Sequence, residues 1–289
     1  MRENHLLLML AAMVAATMLT SCGSKYEFNL DEHLGICGMG WAEAAKTAGL
    51  DYLEANVSGF LMPENSDEEF AANKALAATI TPPIYSANGF FPGEIKIVGP
   101  EADLERAVRY SETAILRASE IGIKILVLGS SGSRSIPEGF DRGKAEEQFT
   151  GFLKRIAPTA EKYGVIVAIE PLQTAETNFI NTVAEGAQIA RNTGSDNIRV
   201  IADLFHMARM KEDPEDIITS KDKLVHCHIA ECEERTAPGV KGDDFTPYLK
   251  ALKKIKYTGR MSFECSWQDI DTQLPKAVGV MKEQILSIK

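Results

Sequence analysis

The chain alternates short, β-branched apolar runs with longer segments in which apolar residues recur at helical spacing. Eight apolar runs predict strands, at residues 34–37, 51–55, 84–87, 124–128, 165–169, 198–202, 224–229 and 260–263. The segments between and after them predict helices at residues 41–48, 66–78, 101–121, 143–163, 183–192, 214–220, 244–255 and 271–286. Continuous apolar runs are typical of strands that are buried on both faces, as in parallel sheets. Eight strand–helix units in 289 residues therefore predict an α/β fold, a single closed (β/α)8 TIM barrel.

A doubly wound open sheet is the alternative for such an alternating pattern. Its dinucleotide-binding form carries a Gly-x-Gly-x-x-Gly turn after the first strand. Here the first strand is followed by Gly38-Met39-Gly40, which does not have that spacing. No shift in composition divides the chain, so we expect one domain over residues 31–289.

The N-terminal residues form a separate segment. An apolar run at residues 6–19 leads into Leu19-Thr20-Ser21-Cys22 and resembles a bacterial lipoprotein signal peptide with its lipobox. The run is too short to span a bilayer permanently, although an uncleaved anchor remains the alternative. This resemblance implies a signal peptide at 1–21, lipidation of Cys22 and a tether at 22–30. We therefore expect a bacterial cell-envelope protein, facing the periplasm or on the outer membrane, that meets the membrane only through its lipid.

Charge and cysteine content narrow the classes of partner. The net charge is −10, with 31 basic and 41 acidic residues and no basic run. Nucleic-acid binding is dominated by neutralisation of phosphates, so this charge argues against a nucleic-acid partner. No two cysteines form a Cys-x-x-Cys pair, and Cys37, Cys227 and Cys265 lie in or beside apolar runs, which predicts small core residues.

The last four predicted strands each end in, or next to, a side chain that can bind a metal. These side chains are Glu170, Asp203, His228 and Glu264. Catalytic residues of a TIM barrel lie at the C-terminal ends of its strands, and neighbouring strands lie about 4.8 Å apart. Each residue alone could be a turn cap, a core histidine or a solvated carboxylate. Their recurrence on consecutive strands favours an arc around one cation.

The set of ligands predicts the kind of metal. Three carboxylates and one imidazole favour a hard divalent cation in roughly octahedral geometry, which leaves positions open for substrate. We expect one divalent metal: the donor set favours Mn²⁺, Mg²⁺ or Co²⁺, with Zn²⁺ as the alternative. An open coordination sphere is typical of a catalytic metal rather than a structural one.

Four motifs resemble those of one known family. They are Glu170-x5-Glu176, Asp203-Leu-Phe-His206, His226-Cys-His228-Ile and Glu264. The pattern is similar to xylose-isomerase-like TIM barrels, nearest the ketose 3-epimerases of the tagatose and psicose epimerase group. The resemblance implies that Glu170, Asp203, His228 and Glu264 bind one divalent metal, commonly Mn²⁺. It also implies that Glu176, His206 and Arg235 hold substrate oxygens.

These residues suit proton transfer next to a ketone. A metal that chelates a ketone and the adjacent hydroxyl stabilises the enediolate that forms on proton loss. Epimerisation needs a base on one face of the carbon and an acid on the other, and Glu170 and Glu264 are the candidates. Which of them removes the proton remains open.

Other residues bear on the substrate. Trp267 is predicted to stack on a sugar, with Trp41, Phe90 and Phe91 as further candidates, although packing of loops is the alternative for each. The residues after strand eight lack the glycines of a phosphate nest, which favours an unphosphorylated sugar. His226 shares a strand face with His228 but lies deeper, which predicts a supporting or core role.

Three other functions remain to be weighed. A lyase or hydratase acting on 3-oxo-glycosides would use the same site, because a C3 ketone acidifies the C2 proton and the enediolate can expel a C1 substituent. A non-catalytic sugar-binding lipoprotein is a second alternative. The zinc endonuclease branch of the superfamily needs more metal-binding histidines than this chain offers after residue 21. The partner is thus expected to be a small-molecule sugar, and assembly into homo-oligomers stays open.

Overall fold

A computed structural model describes residues 26–289, so the predicted lipobox and Cys22 lie outside the described residues. The strands are β1 (Leu34–Cys37), β2 (Tyr52–Asn56), β3 (Ile84–Asn88), β4 (Ile125–Leu128), β5 (Ile166–Ile169), β6 (Ile198–Asp203), β7 (Leu224–Ile229) and β8 (Arg260–Phe263). They pair in chain order and close as a barrel, with every pair parallel. The predicted single (β/α)8 barrel is confirmed.

Helices follow the strands around the outside. They are α1 (Ala42–Thr47), α2 (Asp67–Ala77), α3 (Leu104–Glu120), α4 (Ser131–Arg134), α5 (Arg142–Tyr163), α6 (Val183–Thr193), α7 (Leu204–Met210), α8 (Glu215–Thr219), α9 (Thr246–Lys254) and α10 (Ile270–Ser287). Two of them, α4 and α7, are short helices directly above strand ends that the sequence analysis missed. No helix within residues 26–289 is both long and apolar enough to cross a membrane.

Local chemistry sets several helix ends. Ser66 and Glu69 form a capping box at the start of α2: the Ser66 hydroxyl accepts from the Glu69 amide and the Glu69 carboxylate accepts from the Ser66 amide at 2.8 Å. Helices α5 and α6 end at Gly164 and Gly194, whose φ angles of 63° and 74° lie in the left-handed region that glycine adopts without strain. These ends fix where the chain turns back into the barrel.

Apolar packing is divided between the outside and the inside of the barrel. Most of the core lies between the strands and the helices. Inside the barrel, Ile125, Val127, Ala168 and Ile201 pack together on the side of β4 to β6. The opposite side of the interior, formed by β2, β3, β7 and β8, contains buried polar side chains instead. That polar half lies beneath the ends of β7 and β8, which carry His228 and Glu264 of the predicted site.

The packed part of the chain begins before residue 31. Phe28 and Leu30 are buried in the outer core, and the Tyr26 hydroxyl donates to the carbonyl of Tyr257 at 3.2 Å. The predicted tether at 22–30 is therefore too long at its C-terminal end. Its apolar residues are covered by the barrel because burying them is favourable.

Candidate metal and substrate site

The barrel brings the four predicted ligands together at one end. Glu170 follows β5, Asp203 ends β6, His228 lies one residue before the end of β7, and Glu264 follows β8. One ligand atom from each residue lies within 4.8 Å of those from the others. His228 Nδ1 is 2.9 Å from Glu264 Oε2 and 3.3 Å from Glu170 Oε1. The parallel register pairs Asp203 with His228 across β6 and β7.

The orientation of His228 makes this cluster suitable for a cation. Its Nε2 lies 2.9 Å from Glu54 Oε1, and a carboxylate can only accept, so Nε2 carries a proton. In the neutral ring Nδ1 then presents a lone pair toward two carboxylate oxygens. A cation bound by Nδ1 and both carboxylates would offset the repulsion among these acceptors, as a proton on Nδ1 does in the metal-free site. The donor set therefore fits a divalent cation bound by Glu170, Asp203, His228 and Glu264.

Burial and neighbouring charges move the pKa values of these groups in different directions. Burial raises the pKa of Glu170 above its ordinary value. Burial acts in the same sense on Glu264, but the charges of His228 and Arg235 outweigh it and lower the pKa of that carboxyl. For His228 burial favours the neutral ring, yet the charges of Glu54 and Glu264 raise its pKa well above the ordinary value. The pKa values of the Glu170 and Glu264 carboxyl groups are thus shifted in opposite directions.

Arg235 reaches into the acid cluster from the loop after β7. Its Nη2 donates to Asp203 Oδ2 at 2.9 Å and also to Glu264 Oε2, and its Nε donates to the main-chain carbonyl of Glu264 at 2.9 Å. Glu234 and Arg235 have φ angles of 56° and 54°, and this left-handed turn directs the side chain inward. The guanidinium also lies 4.5 Å from the ring centroid of Phe205. Arg235 therefore lies beside two of the proposed ligands, and its contact with substrate stays a prediction.

His206 and Glu176 lie next to the cluster. His206 belongs to α7, whose N-cap is Asp203 itself, because Asp203 Oδ1 accepts from the Phe205 amide at 2.9 Å. The Gln173 amide donates to His206 Nδ1 at 3.3 Å, so Nε2 carries the proton and lies 3.4 Å from Asp203 Oδ2. Glu176 is partly exposed, 3.9 Å from His206 Nδ1. Both residues border the cluster on the β5–β6 side.

The predicted aromatic contacts divide into two groups. Phe90 and Phe91 are buried in the core, where Phe91 packs against Tyr110 and Phe152. For these two residues the packing alternative is the correct one. Trp267 is partly buried with its ring centroid 6.5 Å from that of Phe263, and its contact with a sugar stays a prediction.

Three polar residues of the site were missed in the sequence analysis. Glu54 on β2 is fully buried and contacts both His226 and His228. Asn88 at the end of β3 donates to Glu264 Oε1 at 2.8 Å. Buried Arg134 donates to the main-chain carbonyl of Glu170 at 2.7 Å. The charge of Glu54 within an otherwise apolar strand is the signal that could have identified it, because buried charges require partners.

A cavity of about 460 Å³ opens at the ends of β1 to β3, beside the cluster. Its lining includes Cys37, Met39, Asn56, Phe60 and Asn88. Asn88 joins this cavity to Glu264 through the hydrogen bond described above. Most of its wall is apolar, with a few amide groups, as is common for binding sites of small organic molecules.

Sequence comparisons agree with this architecture. Residues 42–284 match the model of the xylose isomerase-like TIM barrel family. The chain is 27% identical over 237 residues to D-psicose 3-epimerase of Agrobacterium fabrum, covering 78% of each chain. It is 25% identical over 229 residues to 3-dehydro-D-guloside 4-epimerase of Escherichia coli, covering 76% of this chain and 83% of that enzyme. A match to L-ribulose 3-epimerase of Mesorhizobium japonicum has 33% identity but spans only 46% of this chain and 45% of the enzyme.

Solved structures show the same fold. A D-psicose 3-epimerase crystallised in the presence of D-fructose superimposes with a TM-score of 0.75 at 20% identity, over 88% of this chain and 99% of that one. A 3-keto-D-glucoside 4-epimerase from Escherichia coli gives 0.73 at 20% identity, over 87% and 99% of the two chains. The IOLI protein, whose structure holds a zinc atom, gives 0.67 at 17% identity, over 89% and 97%. The chain belongs to the xylose isomerase-like TIM barrel family.

Proposed function

We propose that this protein is a divalent-metal-dependent sugar epimerase that removes a proton next to a ketone and passes through an enediolate. The observation that carries the proposal is the cluster of Glu170, Asp203, Glu264 and His228, whose Nδ1 faces two carboxylate oxygens at 2.9 and 3.3 Å. Relatives named as L-ribulose 3-epimerase, D-psicose 3-epimerase and 3-dehydro-D-guloside 4-epimerase support a sugar with a ketone as the substrate class.

The metal would be held by the four side chains of the cluster. A bound divalent cation supplies Lewis acidity toward the oxygens of a ketone and its neighbouring hydroxyl. We propose Mn²⁺ as the physiological ion, because three carboxylates and one imidazole form a mostly hard, oxygen-rich donor set. Mg²⁺, Co²⁺ and Zn²⁺ are the alternatives that metal analysis of the purified protein would distinguish.

Glu170 and Glu264 are the proposed proton carriers. Both carboxyl groups face the same histidine nitrogen, and they come from strands separated by β6 and β7. A substrate carbon between them would have one carboxyl on each side. One glutamate removes the proton, and the other, which carries a proton taken from solvent, donates that proton to the opposite face and inverts the carbon.

Arg235, His206 and Glu176 would orient the substrate. Arg235 supplies a cation beside two of the proposed ligands, at 2.9 Å from Asp203 Oδ2. Guanidinium N–H groups bind negatively charged oxygens strongly, so Arg235 is suited to an oxygen on which charge develops. Glu176, with its partly exposed carboxylate, can accept hydrogen bonds from sugar hydroxyls.

A lyase or hydratase acting on 3-oxo-glycosides is the second candidate. The observation that favours it is the cavity of about 460 Å³ beside Asn88, with Met39 and Phe60 in its wall. This space could receive the C1 substituent of a glycoside, whereas a free ketose has no such group. Both reactions begin with the same proton removal, so the two candidates differ only in the fate of the enediolate.

Solvent exchange in heavy water tests the proposal. The protein, loaded with Mn²⁺, is incubated with free ketoses and with 3-oxo-glycosides, and the products are examined by NMR and mass spectrometry. An epimerase returns a sugar labelled with deuterium at one carbon, and a lyase releases the C1 group. Glu170→Gln and Glu264→Gln, compared at equal metal occupancy, should each lose about 10² to 10⁴-fold in turnover because each removes an acid/base group.

Two outcomes would contradict the proposal. If metal-loaded Glu170→Gln and Glu264→Gln both retained wild-type turnover, the two-glutamate mechanism would be wrong. Sugar binding without any deuterium incorporation would instead identify a non-catalytic sugar-binding protein.

A further inference from the structure

We propose that Glu54 is a positioning residue that sets the tautomer of His228 and thereby keeps Nδ1 free to bind the cation. This inference rests on the metal site of the proposed function. Glu54 lies on β2, is fully buried, and its Oε1 lies 2.9 Å from His228 Nε2. A carboxylate on this side of the ring accepts the Nε2–H and leaves Nδ1 with its lone pair.

Glu54 is itself fixed by three further donors. Its Oε2 accepts from Ser86 Oγ at 2.7 Å, from Ser262 Oγ at 2.6 Å and from His226 Nε2 at 2.9 Å. The Tyr52 hydroxyl lies 2.8 Å from Ser262 Oγ, so that this serine can accept from the tyrosine while it donates to Glu54. Four donors from β3, β7 and β8 thus contact the carboxylate, one at Oε1 and three at Oε2. The group has one orientation that satisfies all of its partners.

The same contacts give His226 its role. It donates Nε2–H to Glu54, and its ring and that of His228 lie edge to face with centroids 5.2 Å apart. His226 is not in the group of four side chains that could share a cation. It supports the cluster through Glu54, one layer deeper in the barrel.

Without Glu54 the neutral His228 ring would prefer the other tautomer. A proton on Nδ1 could be donated to Glu264 Oε2 at 2.9 Å or to Glu170 Oε1 at 3.3 Å. That arrangement satisfies the carboxylates by an internal hydrogen bond and places a proton where the cation would bind. Glu54 opposes it by stabilising the proton on Nε2, so that Nδ1 is the nitrogen that releases its proton when the cation binds.

The substitution Glu54→Gln tests this role of Glu54, because the glutamine side chain has almost the same shape as glutamate. The amide oxygen is drawn to the side of Ser86, Ser262 and His226, because three donors there need an acceptor. The amide NH₂ then faces His228 Nε2. That nitrogen can accept a hydrogen bond from the NH₂ group only in the tautomer whose proton lies on Nδ1. The variant should therefore favour Nδ1–H and weaken metal binding by about 10 to 100-fold, the usual cost of losing such a supporting hydrogen bond.

Two measurements on the full protein distinguish positioning from simple packing. Isothermal titration gives the Zn²⁺ affinity of the wild type, of Glu54→Gln and of Ser86→Ala. NMR of the ¹⁵N-histidine-labelled, Zn²⁺-loaded protein gives the protonated nitrogen of His228 and the chemical shift of its N–H. Ser86→Ala is the matched control, because it removes one hydrogen bond from Glu54 and leaves the contact with His228 in place. We expect Zn²⁺ binding to weaken in Glu54→Gln and to remain within a few-fold of wild type in Ser86→Ala, where about one ordinary hydrogen bond is lost.

The outcomes separate this inference from the proposed function. If the wild type bound no Zn²⁺ or Mn²⁺, the proposed metal site itself would fail. If the wild type bound Zn²⁺ and folded Glu54→Gln bound it equally well, only the role of Glu54 would be overturned. Should Glu54→Gln not fold, the wild-type spectrum decides: a strongly downfield Nε2–H supports the proposal, and a proton on Nδ1 contradicts it.

Discussion

Glu170 lies against a position where a side chain does not fit. A Cβ added to Gly129, just after β4, would lie 2.2 Å from Glu170 Oε2. Real Cβ atoms do not approach an oxygen this closely, so the carboxylate would have to move. Arg134 fixes the main chain of the same residue by donating to the Glu170 carbonyl at 2.7 Å. The β4 loop therefore positions the glutamate of the next strand, both at its side chain and at its backbone.

Gly129→Ala should displace the Glu170 carboxylate while the barrel still folds. We expect metal affinity to fall by at least about tenfold, as when a supporting contact of a metal ligand is lost. Titration with Mn²⁺ measures the affinity, and thermal unfolding checks the fold. Gly151→Ala, within α5 where the new Cβ has no neighbour within 4 Å, is the control and should stabilise the protein by about 0.5–1 kcal/mol. Equal metal binding in Gly129→Ala and wild type would show that this close packing does not position Glu170.

Residues that interrupt an apolar run at its end can be recognised in the sequence. Glu170 and Glu264 were visible because each charge follows directly on a buried strand, where a TIM barrel carries its chemistry. Glu54 lies within its run and was therefore assigned to the strand without a role. Its partners Ser86 and Ser262 are 32 and 208 residues away, and only the closed barrel brings them together. Contacts at such separations leave no local pattern in the chain.

At the scale of elements, short helices above the strands complete the site. Helix α7 begins at Leu204, immediately after β6, and presents His206 toward Asp203. It was missed because it follows β6 without an intervening turn. No local signal therefore marks where the strand ends and the helix begins. The longer elements were predicted well, since their periodicity extends over enough residues to be distinct.

Glu212 links the end of α7 to the start of α6 and provides a pH-dependent contact. Its Oε1 accepts from the amide of Val183, the first residue of α6, at 2.6 Å. Burial raises the pKa of Glu212 to about 8, from an ordinary value of 4.5. Between about pH 4.5 and pH 8, the Glu212 carboxyl group is thus protonated in the folded protein but ionised in the unfolded chain. The contribution of Glu212 to the free energy of unfolding is therefore fully present below about pH 4.5, and it is lost as the pH rises to about 8.

Glu212→Gln should remove that pH dependence and keep an oxygen for the Val183 amide. Relative to wild type, we expect the variant to gain on the order of 2–4 kcal/mol in free energy of unfolding between pH 5 and pH 9, since a tenfold change in proton affinity corresponds to about 1.4 kcal/mol. Urea unfolding at several pH values measures this difference. The exposed Glu215, on neighbouring α8, provides the control Glu215→Gln, which should show no such trend. A difference between Glu212→Gln and wild type that is constant with pH would contradict the prediction.

At the scale of the whole molecule, the sequence contains one barrel and an N-terminal segment that the structure does not describe. The apolar run and the motif ending at Cys22 resemble a lipoprotein signal peptide. If this resemblance holds, the barrel works at the cell envelope, where sugars and glycosides from outside the cell arrive. The location would suit either of the two proposed reactions.

Lipid modification at Cys22 is a prediction about processing. Cys22→Ser should leave the precursor uncleaved and without lipid, because the motif would lack the thiol that carries the lipid. Mass spectrometry of the N-terminal peptide from the membrane fraction measures both changes. Cys37→Ser, within the barrel at the end of β1, is a control that should be processed like the wild type. An unmodified N-terminus in the wild-type membrane fraction would show that the resemblance is misleading.

The buried carboxylate of Glu54 has a consequence for how the barrel acquires its activity. The half from β5 to β8 carries every proposed metal ligand, yet the orientation of His228 depends on β2, and Glu264 is held by Asn88 from β3. A half-barrel intermediate would therefore contain all the ligands without the tautomer and the contacts that make them a site. Selective cation binding would therefore require the strands of both halves of the barrel. An isolated or duplicated C-terminal half would contain the proposed metal-binding side chains but would lack the contacts from β2 and β3 that arrange them.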